Sequence, residues 1–257
     1  MIPPASSVRS PLPLSLPPTR DAAPPWSLAR TVTSAVDGLA ALARSTLATA
    51  AQASAHRDDD VDRYMTGGAY DLALERVVAV AQRAIGARVA ALHAGAEASG
   101  DPTPVPVVVF DIDDTLLSTH PRRRLESGAT ADAWPRAVGD HDAPLPPLGP
   151  VVRLHQQLLA DGVRTVIITG RWASNKDATL ANLYWAGVGG WDHALFRTVD
   201  SSDALLSARG YKERQRARLV AAGYQIVGII GDQHSDMAYG APGVVNVKLP
   251  NPLYTVY

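Results

Sequence analysis

Five short apolar runs, rich in β-branched residues, follow one another after residue 104 and are separated by segments with helical spacing. Such runs predict buried strands, and apolar residues at every third or fourth position predict helices. Strands that alternate with helices form a parallel sheet with helices on both faces, so the pattern predicts an α/β fold. The predicted strands span residues 105–110, 164–169, 194–198, 225–231 and 244–247. The predicted helices span residues 151–160, 173–186 and 211–222, with a shorter candidate at 235–239.

Three acidic residues, Asp111, Asp113 and Asp114, stand at the end of the first predicted strand, in the stretch VVVFDIDDTLLS. Carboxylates this close repel one another, so the arrangement is unfavourable unless a positive charge lies nearby. Taken alone, the stretch could also be a solvated turn. A calcium loop of the EF-hand type is a poor alternative, because apolar Ile112 and Leu116 interrupt the ligand positions. The missing positive charge is therefore the first indication of function.

Polar residues also follow the second and fourth predicted strands, in the sequences TGR and GDQHSD, and a lysine lies near the start of the helix between them. Parallel α/β sheets bind ligands beyond the carboxyl ends of their strands, so these residues should converge on one rim. Structural alternatives exist for two of them. TGR could begin a helix with a threonine cap, and the lysine could lie on the surface of an arginine-rich helix. The residues concerned are Thr169, Gly170, Arg171, Lys212, Asp232 and Asp236.

Composition excludes several classes of function. The chain has 257 residues, 46% of them apolar, which is enough to bury one large core. Its 24 basic and 25 acidic residues give a formal net charge of −1, and no block of Lys or Arg stands out. We therefore expect neither a nucleic-acid nor a membrane-surface partner. The absence of cysteine excludes thiolate nucleophiles and zinc-thiolate sites.

Three regions are expected along the chain. Residues 1–26 are rich in Pro and Ser and are predicted to be a disordered tail, residues 27–63 an N-terminal helix, and residues 64–257 the α/β domain. A further helix over residues 70–98 is expected to pack on the outside of that domain. The segment 118–147, about thirty residues between the first two polar motifs, allows only a small lid.

The N-terminal part gives little support for export. It contains no uninterrupted apolar segment typical of a secretory signal, and no apolar run approaches the roughly 18 residues of a membrane span. We therefore expect a cytoplasmic protein. Ala53 and Ala55 do resemble a signal cleavage site, so an exported protein is the alternative. The oligomeric state cannot be read from the sequence.

Together the motifs resemble those of the haloacid dehalogenase (HAD) superfamily, in its phosphatase branch with an aspartate nucleophile. The similarity extends to the stretches YMTGGAYDLALERVVAVAQRAI, APLPPLGPVVRLHQQLLADGVRTVIITGR, ATLANLYWAGVGGW, YKERQRARL, GDQHSD and KLPNPLY. These resemble the acid phosphatases grouped as class B-like or subfamily IIIB, which include plant vegetative storage proteins. The resemblance covers about residues 64–257 and implies a three-layer Rossmann-like fold with a minimal cap and N-terminal helices. Asp114, where Glu is more usual, and His234, where the family often has Trp, depart from it.

The resemblance implies how the acids divide the reaction. Asp111 would attack phosphorus and form an aspartyl-phosphate. Asp113, on the same side of the extended chain, would protonate the leaving oxygen and later deprotonate water. Asp111, Asp232 and the carbonyl of Asp113 would supply hard oxygen ligands for Mg²⁺. Asp236 would lie in or just outside that shell.

The remaining motif residues would bind the phosphate. The Thr169 hydroxyl would hydrogen-bond a phosphoryl oxygen, aided by the Gly170 amide at a helix start. Lys212 would neutralise charge on the nucleophile and the phosphate, so that lysine and metal together supply the missing positive charge. Asp114 is expected to cap the turn or to orient its neighbours. Two alternatives remain for Arg171: it contacts Asp236, the last acid in GDQHSD, or it lies on the surface.

Three functions follow from these residues. The leading hypothesis is a Mg²⁺-dependent phosphomonoester hydrolase acting on small molecules. The second is a phosphotransferase that passes the same phosphoryl group to another alcohol, and the sequence does not separate it from the first. The third is a non-catalytic storage or binding protein, which the retention of Asp111, Asp113, Lys212 and Asp232 argues against.

Overall fold

A five-stranded sheet forms the centre of the protein. The computed structural model describes residues 58–100, 102, 104–126, 144–199 and 202–256. The strands are β1 (Val105–Phe110), β2 (Arg164–Trp172), β3 (His193–Arg197), β4 (Tyr224–Gly231) and β5 (Val245–Lys248). They lie in the order β3-β2-β1-β4-β5, and every neighbouring pair is parallel. This confirms the predicted α/β class with a central parallel sheet.

Helices cover both faces of this sheet. The described residues contain α1 (Asp58–Thr66), α2 (Ala69–Ser99), α3 (His120–Glu126), α4 (Gly149–Ala160), α5 (Lys176–Trp185) and α6 (Ala208–Ala221). Successive side chains of a strand point to opposite faces. In β1, Val108 and Phe110 join the core formed with α2 and α4, whereas Val107 and Val109 join the core formed with α6. The result is the three-layer arrangement that the sequence implies.

The connections around β1 position the site. β1 is the middle strand, with Phe110 opposite Ile167 of β2 and Ile230 of β4. Asp111 continues the strand, because its N–H donates to the Ile230 carbonyl at 3.0 Å. The chain leaves β1 towards β2 on one side and later returns to β4 on the other, which opens a crevice at the carboxyl end of β1.

The segment between the first two motifs leaves and re-enters the domain at one place. The Ser118 N–H donates to the Pro146 carbonyl at 2.8 Å, and the Leu148 N–H donates to the Leu116 carbonyl at 2.9 Å. Helix α3 forms its first part. Residues 127–143 lie outside the described residues, so the small lid stays a prediction.

The end of β2 differs from the prediction. The strand continues through Trp172, so Gly170 lies within it and the expectation that its amide begins a helix is wrong. A 3-10 turn, Ala173–Asn175, follows, and α5 begins only at Lys176. Residues 170–172 therefore keep the extended conformation.

The short helix predicted at 235–239 is also wrong, because the segment forms turns. The N–H groups of Asp236 and Met237 donate to carbonyls three residues back, which is turn spacing. The Asp236 carboxylate in addition accepts the N–H of Gln233 at 2.8 Å. An aspartate side chain that bonds the nearby backbone competes with helix formation, and here it favours the turn.

Two helices precede the sheet. α1 was not predicted as a separate element, and it spans residue 64, where the sequence placed the start of the domain. The predicted tail, residues 1–26, and the predicted helix of 27–63 up to residue 57 lie outside the described residues. α2 confirms the helix expected over residues 70–98.

α2 is also long and apolar enough to cross a membrane, judged by length and composition alone, and it is the one described helix of which this is true. Charged residues interrupt α2 throughout, so it contains no uninterrupted apolar run of that length. Long core helices pass the same test. One face of α2 is buried against the sheet, through Tyr70, Leu74, Val78, Ala81 and Ile85.

Candidate active site

A buried lysine joins two acids at the carboxyl edge of the sheet. The Lys212 Nζ donates to Asp111 Oδ1 at 2.6 Å and also to Asp236 Oδ1. The side chains of Lys212, Asp111 and Asp236 are 8%, 8% and 2% exposed. Lys212 lies in the first turns of α6, Asp111 follows β1, and Asp236 lies in the loop after β4. The fold thus brings together three residues that the sequence had assigned to one site.

Asp232, which follows β4 directly, completes this group, which we call the acid cluster (Asp111, Asp232, Asp236 and Lys212). One oxygen from each of the three carboxylates lies within 4.8 Å of the others. The Asp232 Oδ2 accepts hydrogen bonds from the side-chain amides of Gln233 and Asn251. Its Oδ1 is buried and has no hydrogen-bond partner among the residues the structure describes.

Burial first, and the neighbouring charges second, shift the pKa values of the acid cluster. Burial raises the pKa of Asp111 well above its ordinary value. The charge of Lys212 lowers this pKa, and the charge of Asp236 raises it further. Burial, with Asp236 adding to it, raises the pKa of Asp232 to about 7. Burial alone would lower the pKa of Lys212, but the two carboxylates beside it outweigh burial and raise it. The carboxylates therefore need more positive charge than Lys212 supplies.

The donor set fits a hard divalent cation. Mg²⁺ prefers oxygen ligands and is usually held by carboxylates. The acid cluster offers three carboxylates whose oxygens are close enough to share one ion, and one buried oxygen, Asp232 Oδ1, that lacks a partner. Asp111, Asp232 and Asp236 are therefore the candidate ligands. A role for the Asp113 carbonyl stays a prediction.

The backbone at Gly231 allows Asp236 to reach Lys212. A Cβ at Gly231 would lie 2.3 Å from Asp236 Oδ2 and 2.6 Å from its Cγ. Only glycine can approach the carboxylate this closely. On the other side, the buried Arg216 donates to the Asp236 carbonyl at 2.7 Å and so holds the loop from α6.

Asp113 is paired with Arg171 at the rim of the site. The Arg171 Nε donates to Asp113 Oδ2 at 3.0 Å, and its Nη2 donates to Oδ1 at 2.6 Å. Arg171 also donates to the Thr179 hydroxyl at 3.0 Å. The side chain of Asp113 is 31% exposed. Both alternatives that the sequence left open for Arg171, a partner of Asp236 and a surface residue, are therefore wrong.

Asp114 closes the loop that carries the two acids. Its carboxylate accepts hydrogen bonds from the Thr119 N–H at 2.8 Å and the Thr119 hydroxyl at 2.5 Å. Its backbone has a φ of 52°, a left-handed conformation that aspartate tolerates better than most residues. Asp114 therefore caps the turn, as the sequence indicates.

Thr169 and Gly170, the two residues predicted to bind phosphate, lie in β2, which pairs with β1. Thr169 is fully buried, and its hydroxyl oxygen accepts the Arg171 N–H at 3.2 Å, so the hydroxyl proton stays available to another acceptor. A Cβ at Gly170 would meet no heavy atom within 4 Å, so the strand is open there. Phosphate binding by Thr169 and Gly170 stays a prediction.

Residues of the C-terminal part also reach the site, although the sequence had not assigned them to it. Asn251 contacts Asp232, and Lys248 ends β5 opposite Gly231. The Tyr254 ring lies 4.0 Å from the Arg123 guanidinium of α3, and burial and the carboxylates of the site raise the pKa of its phenol. The stretch KLPNPLY contributed to the resemblance, but nothing in its local pattern indicated contact with the acids.

The fold and the site first define a class of protein. The parallel sheet is covered by helices on both faces, as in Rossmann-like α/β proteins. An aspartate directly after the middle strand, a buried lysine and further acids lie at one edge of this sheet and form a site suited to a divalent cation. The family described as HAD superfamily, subfamily IIIB (acid phosphatase) matches residues 29–257. The chain belongs to this family, which confirms the resemblance drawn from the motifs.

Two curated proteins are similar over much of the chain. Vegetative storage protein 2 of Arabidopsis thaliana is 39% identical over 155 residues, 59% of this chain and 57% of that protein. The chain thus spans little more than half the length of this relative. Acid phosphatase 1 of Solanum lycopersicum is 32% identical over 205 residues, 77% of this chain and 74% of that protein.

A solved structure agrees with the fold. The class C acid phosphatase from Bacillus anthracis superposes with a TM-score of 0.51 at 19% identity, over 82% of this chain and 86% of that one. At this identity the likeness supports the three-layer HAD fold.

Proposed function

We propose that the protein is a phosphomonoester hydrolase that uses Asp111 as its nucleophile and requires Mg²⁺. The observation that carries the proposal is the acid cluster, in which a buried aspartate after the middle strand contacts a buried lysine among two further acids. Membership of the acid phosphatase subfamily and the similarity to acid phosphatase 1 support the same activity.

The first half of the proposed reaction transfers the phosphoryl group to Asp111. A carboxylate oxygen of Asp111 attacks phosphorus, the bond between phosphorus and the leaving oxygen breaks, and an aspartyl-phosphate forms. Lys212, which contacts Asp111 Oδ1, stabilises the negative charge that nucleophile and phosphate bring together. The hydroxyl proton of Thr169 is available for one phosphoryl oxygen.

Asp113 moves the proton in both halves. Its protonated form donates to the leaving oxygen, which departs as the alcohol. In the second half it takes a proton from water, whose oxygen attacks phosphorus and releases inorganic phosphate from Asp111. Because Asp113 is 31% exposed, it can contact water, in contrast to the buried Asp111.

Asp111, Asp232 and Asp236 would hold the ion. When bound, Mg²⁺ would shield the charge of the phosphate from that of the carboxylates. Other residues hold these ligands in position. Gly231 has no side chain, so the Asp236 carboxylate can pack against its backbone, and the amides of Gln233 and Asn251 hold the Oδ2 of Asp232.

A phosphatase assay tests the proposal. The protein is dialysed against EDTA and assayed with nucleotides, sugar phosphates and aryl phosphates, with and without added Mg²⁺. We expect phosphate release that depends on Mg²⁺, and full activity in the chelator would remove the metal from the mechanism. Added glycerol distinguishes the phosphotransferase, because glycerol phosphate would then accumulate in place of inorganic phosphate.

A non-catalytic storage protein is the second candidate, favoured by the 39% identity to vegetative storage protein 2. The acid cluster and the Asp113–Arg171 pair are both in place, which supports the enzyme. Absence of turnover with every phosphomonoester tested, in the presence of Mg²⁺ and Mn²⁺, would favour the storage protein instead.

A further inference from the structure

The last described part of the chain, which we call the C-terminal segment (residues 251–256), lies against the acid cluster. The Asn251 Nδ2 donates to Asp232 Oδ2 at 2.5 Å, across 19 residues of sequence. Asn251 is fixed in its turn, because its Oδ1 accepts the N–H of Leu253 at 2.7 Å. An asparagine that bonds the backbone two residues ahead forms a local turn, and the proline at position 252 restricts that turn further.

A second amide makes the same contact. Gln233, which is buried, donates through Nε2 to Asp232 Oδ2 at 2.5 Å. Its Oε1 accepts the N–H of Val256 at 2.8 Å. Gln233 therefore connects Asp232 with the end of the C-terminal segment, just as Asn251 connects it with the beginning.

These contacts leave the two oxygens of Asp232 in different states. Oδ2 accepts two amide donors, whereas Oδ1 is buried without a partner among the described residues. A carboxylate held at one oxygen has little freedom to rotate, so its other oxygen stays directed at the same place. Residues that hold a metal ligand in this way commonly change metal affinity by about 10–100-fold when they are removed.

We propose that Asn251 and the C-terminal segment are positioning elements of the metal site, which hold Asp232 so that its Oδ1 is presented to a divalent cation. This inference rests on the proposed function. It assigns to residues 251–256 a role in metal affinity, with no contact to substrate required. Gln233 acts with Asn251, and two backbone groups of the segment hold it in turn: the Val256 N–H donates to its Oε1, and the Tyr254 carbonyl accepts from its Nε2.

Titration calorimetry of the metal-free full chain with Mg²⁺ tests the inference without any measurement of turnover. We expect Asn251→Ala to raise the Kd for Mg²⁺ by at least about tenfold. The matched control is Asn182→Ala, because Asn182 also makes two hydrogen bonds through its amide, both to the backbone of Leu145 and away from the acids. The Kd of the control should stay within about twofold of the wild type.

A pair of substitutions at Val256 keeps the test decisive if Asn251→Ala fails to fold. Val256 is 36% exposed and belongs to neither hydrophobic core, so replacing its side chain should leave the core packing unchanged. Val256→Pro removes the N–H that Gln233 accepts, whereas Val256→Ala keeps it. We expect the proline variant to bind Mg²⁺ a few times more weakly than the alanine variant, which should match the wild type.

The possible results separate this inference from the proposed function. Equal Mg²⁺ affinity in Asn251→Ala and Asn182→Ala, or in the two Val256 variants, overturns the positioning role while the proposed function stands. A wild-type protein that binds Mg²⁺ but releases no phosphate overturns the proposed function and leaves the positioning role supported if the variants differ as expected. A wild-type protein that binds no divalent cation overturns both.

Discussion

Asp111 and Asp113 are two residues apart, yet they lie in different electrostatic environments. Asp111 is buried in the acid cluster, where three carboxylates face the ammonium of Lys212. Asp113 is 31% exposed, and its two oxygens meet the guanidinium of Arg171 one to one. The first environment has excess negative charge, whereas the second is balanced.

The difference shows how one loop can support two chemical tasks. Excess buried charge attracts a cation, and it places a carboxylate where water does not compete for it. A paired carboxylate at the rim stays in contact with water, because the side chain of Asp113 is 31% exposed. Ile112, the residue between them, is fully buried in the core.

The largest expected effect is the loss of turnover when the buried nucleophile Asp111 is replaced. Asp111→Asn keeps the shape but cannot form a stable acyl phosphate, so turnover should fall by at least about a thousandfold. Steady-state kinetics with an aryl phosphate measure the effect, and circular dichroism checks the fold. Asp161→Asn, at an exposed aspartate that bonds Gln157, is the control and should keep wild-type turnover. Retained activity in Asp111→Asn would rule out the aspartyl-phosphate.

Replacing Lys212 and Arg171 in turn tests whether the two environments differ in charge balance. Lys212→Met leaves three carboxylates buried without their ammonium, and losing one partner of a buried pair costs about 3–5 kcal/mol. The free energy of unfolding from urea titration should fall by that amount without metal, and Mg²⁺ should recover part of it. Arg171→Met, which affects a carboxylate in contact with water, should cost less. Equal losses in the two variants would show that burial does not distinguish the pairs.

The exposed side is tested by the leaving group. Asp113→Asn should lower kcat/KM for sugar phosphates by about 10²-fold or more, because a poor leaving oxygen needs the proton. The loss should be smaller for aryl phosphates, whose first turnover would appear as a burst with phosphoenzyme on Asp111. The ratio of the two kcat/KM values is the measurement. An equal loss for both substrates, together with weaker Mg²⁺ binding, would make Asp113 a structural residue or metal ligand.

The smallest expected effect is a change of Mg²⁺ affinity with pH, which arises from the buried acid cluster and not from Asp113. Burial raises the pKa of Asp232 to about 7 in the metal-free protein, from an ordinary value of 3.8. Its contribution to stability is therefore fully present below that ordinary value and is lost as the pH rises through about 7. Mg²⁺ binds the ionised carboxylate, so its affinity should fall about tenfold per pH unit below about pH 7. Thermal unfolding at about pH 6 and pH 8 measures the gain in Tm from Mg²⁺. An equal gain at both values would contradict the raised pKa.

Local patterns were sufficient for the fold and for most of the candidate site. The run Val105–Phe110 is a strand as predicted, because six apolar residues bounded by Pro and acids have few other stable conformations. Once such strands lie parallel, Asp111 and Asp232 must meet at one edge, since they follow the neighbouring strands β1 and β4. The Gly170 helix start and the 235–239 helix were wrong because strand pairing and a side-chain bond outweighed local propensity.

The sequence by itself therefore determined the strand and helix order, the edge at which the acids meet, and the need for positive charge there, because these depend on periodicity and on residue type. Only the tertiary structure decided which groups supply the contacts. Arg171 pairs with Asp113 across 58 residues, and Asn251 meets Asp232 across 19. Such contacts depend on the exact length of β2 and on the path of the chain after β5, and a shift of one residue in an extended segment sends every side chain to the opposite face.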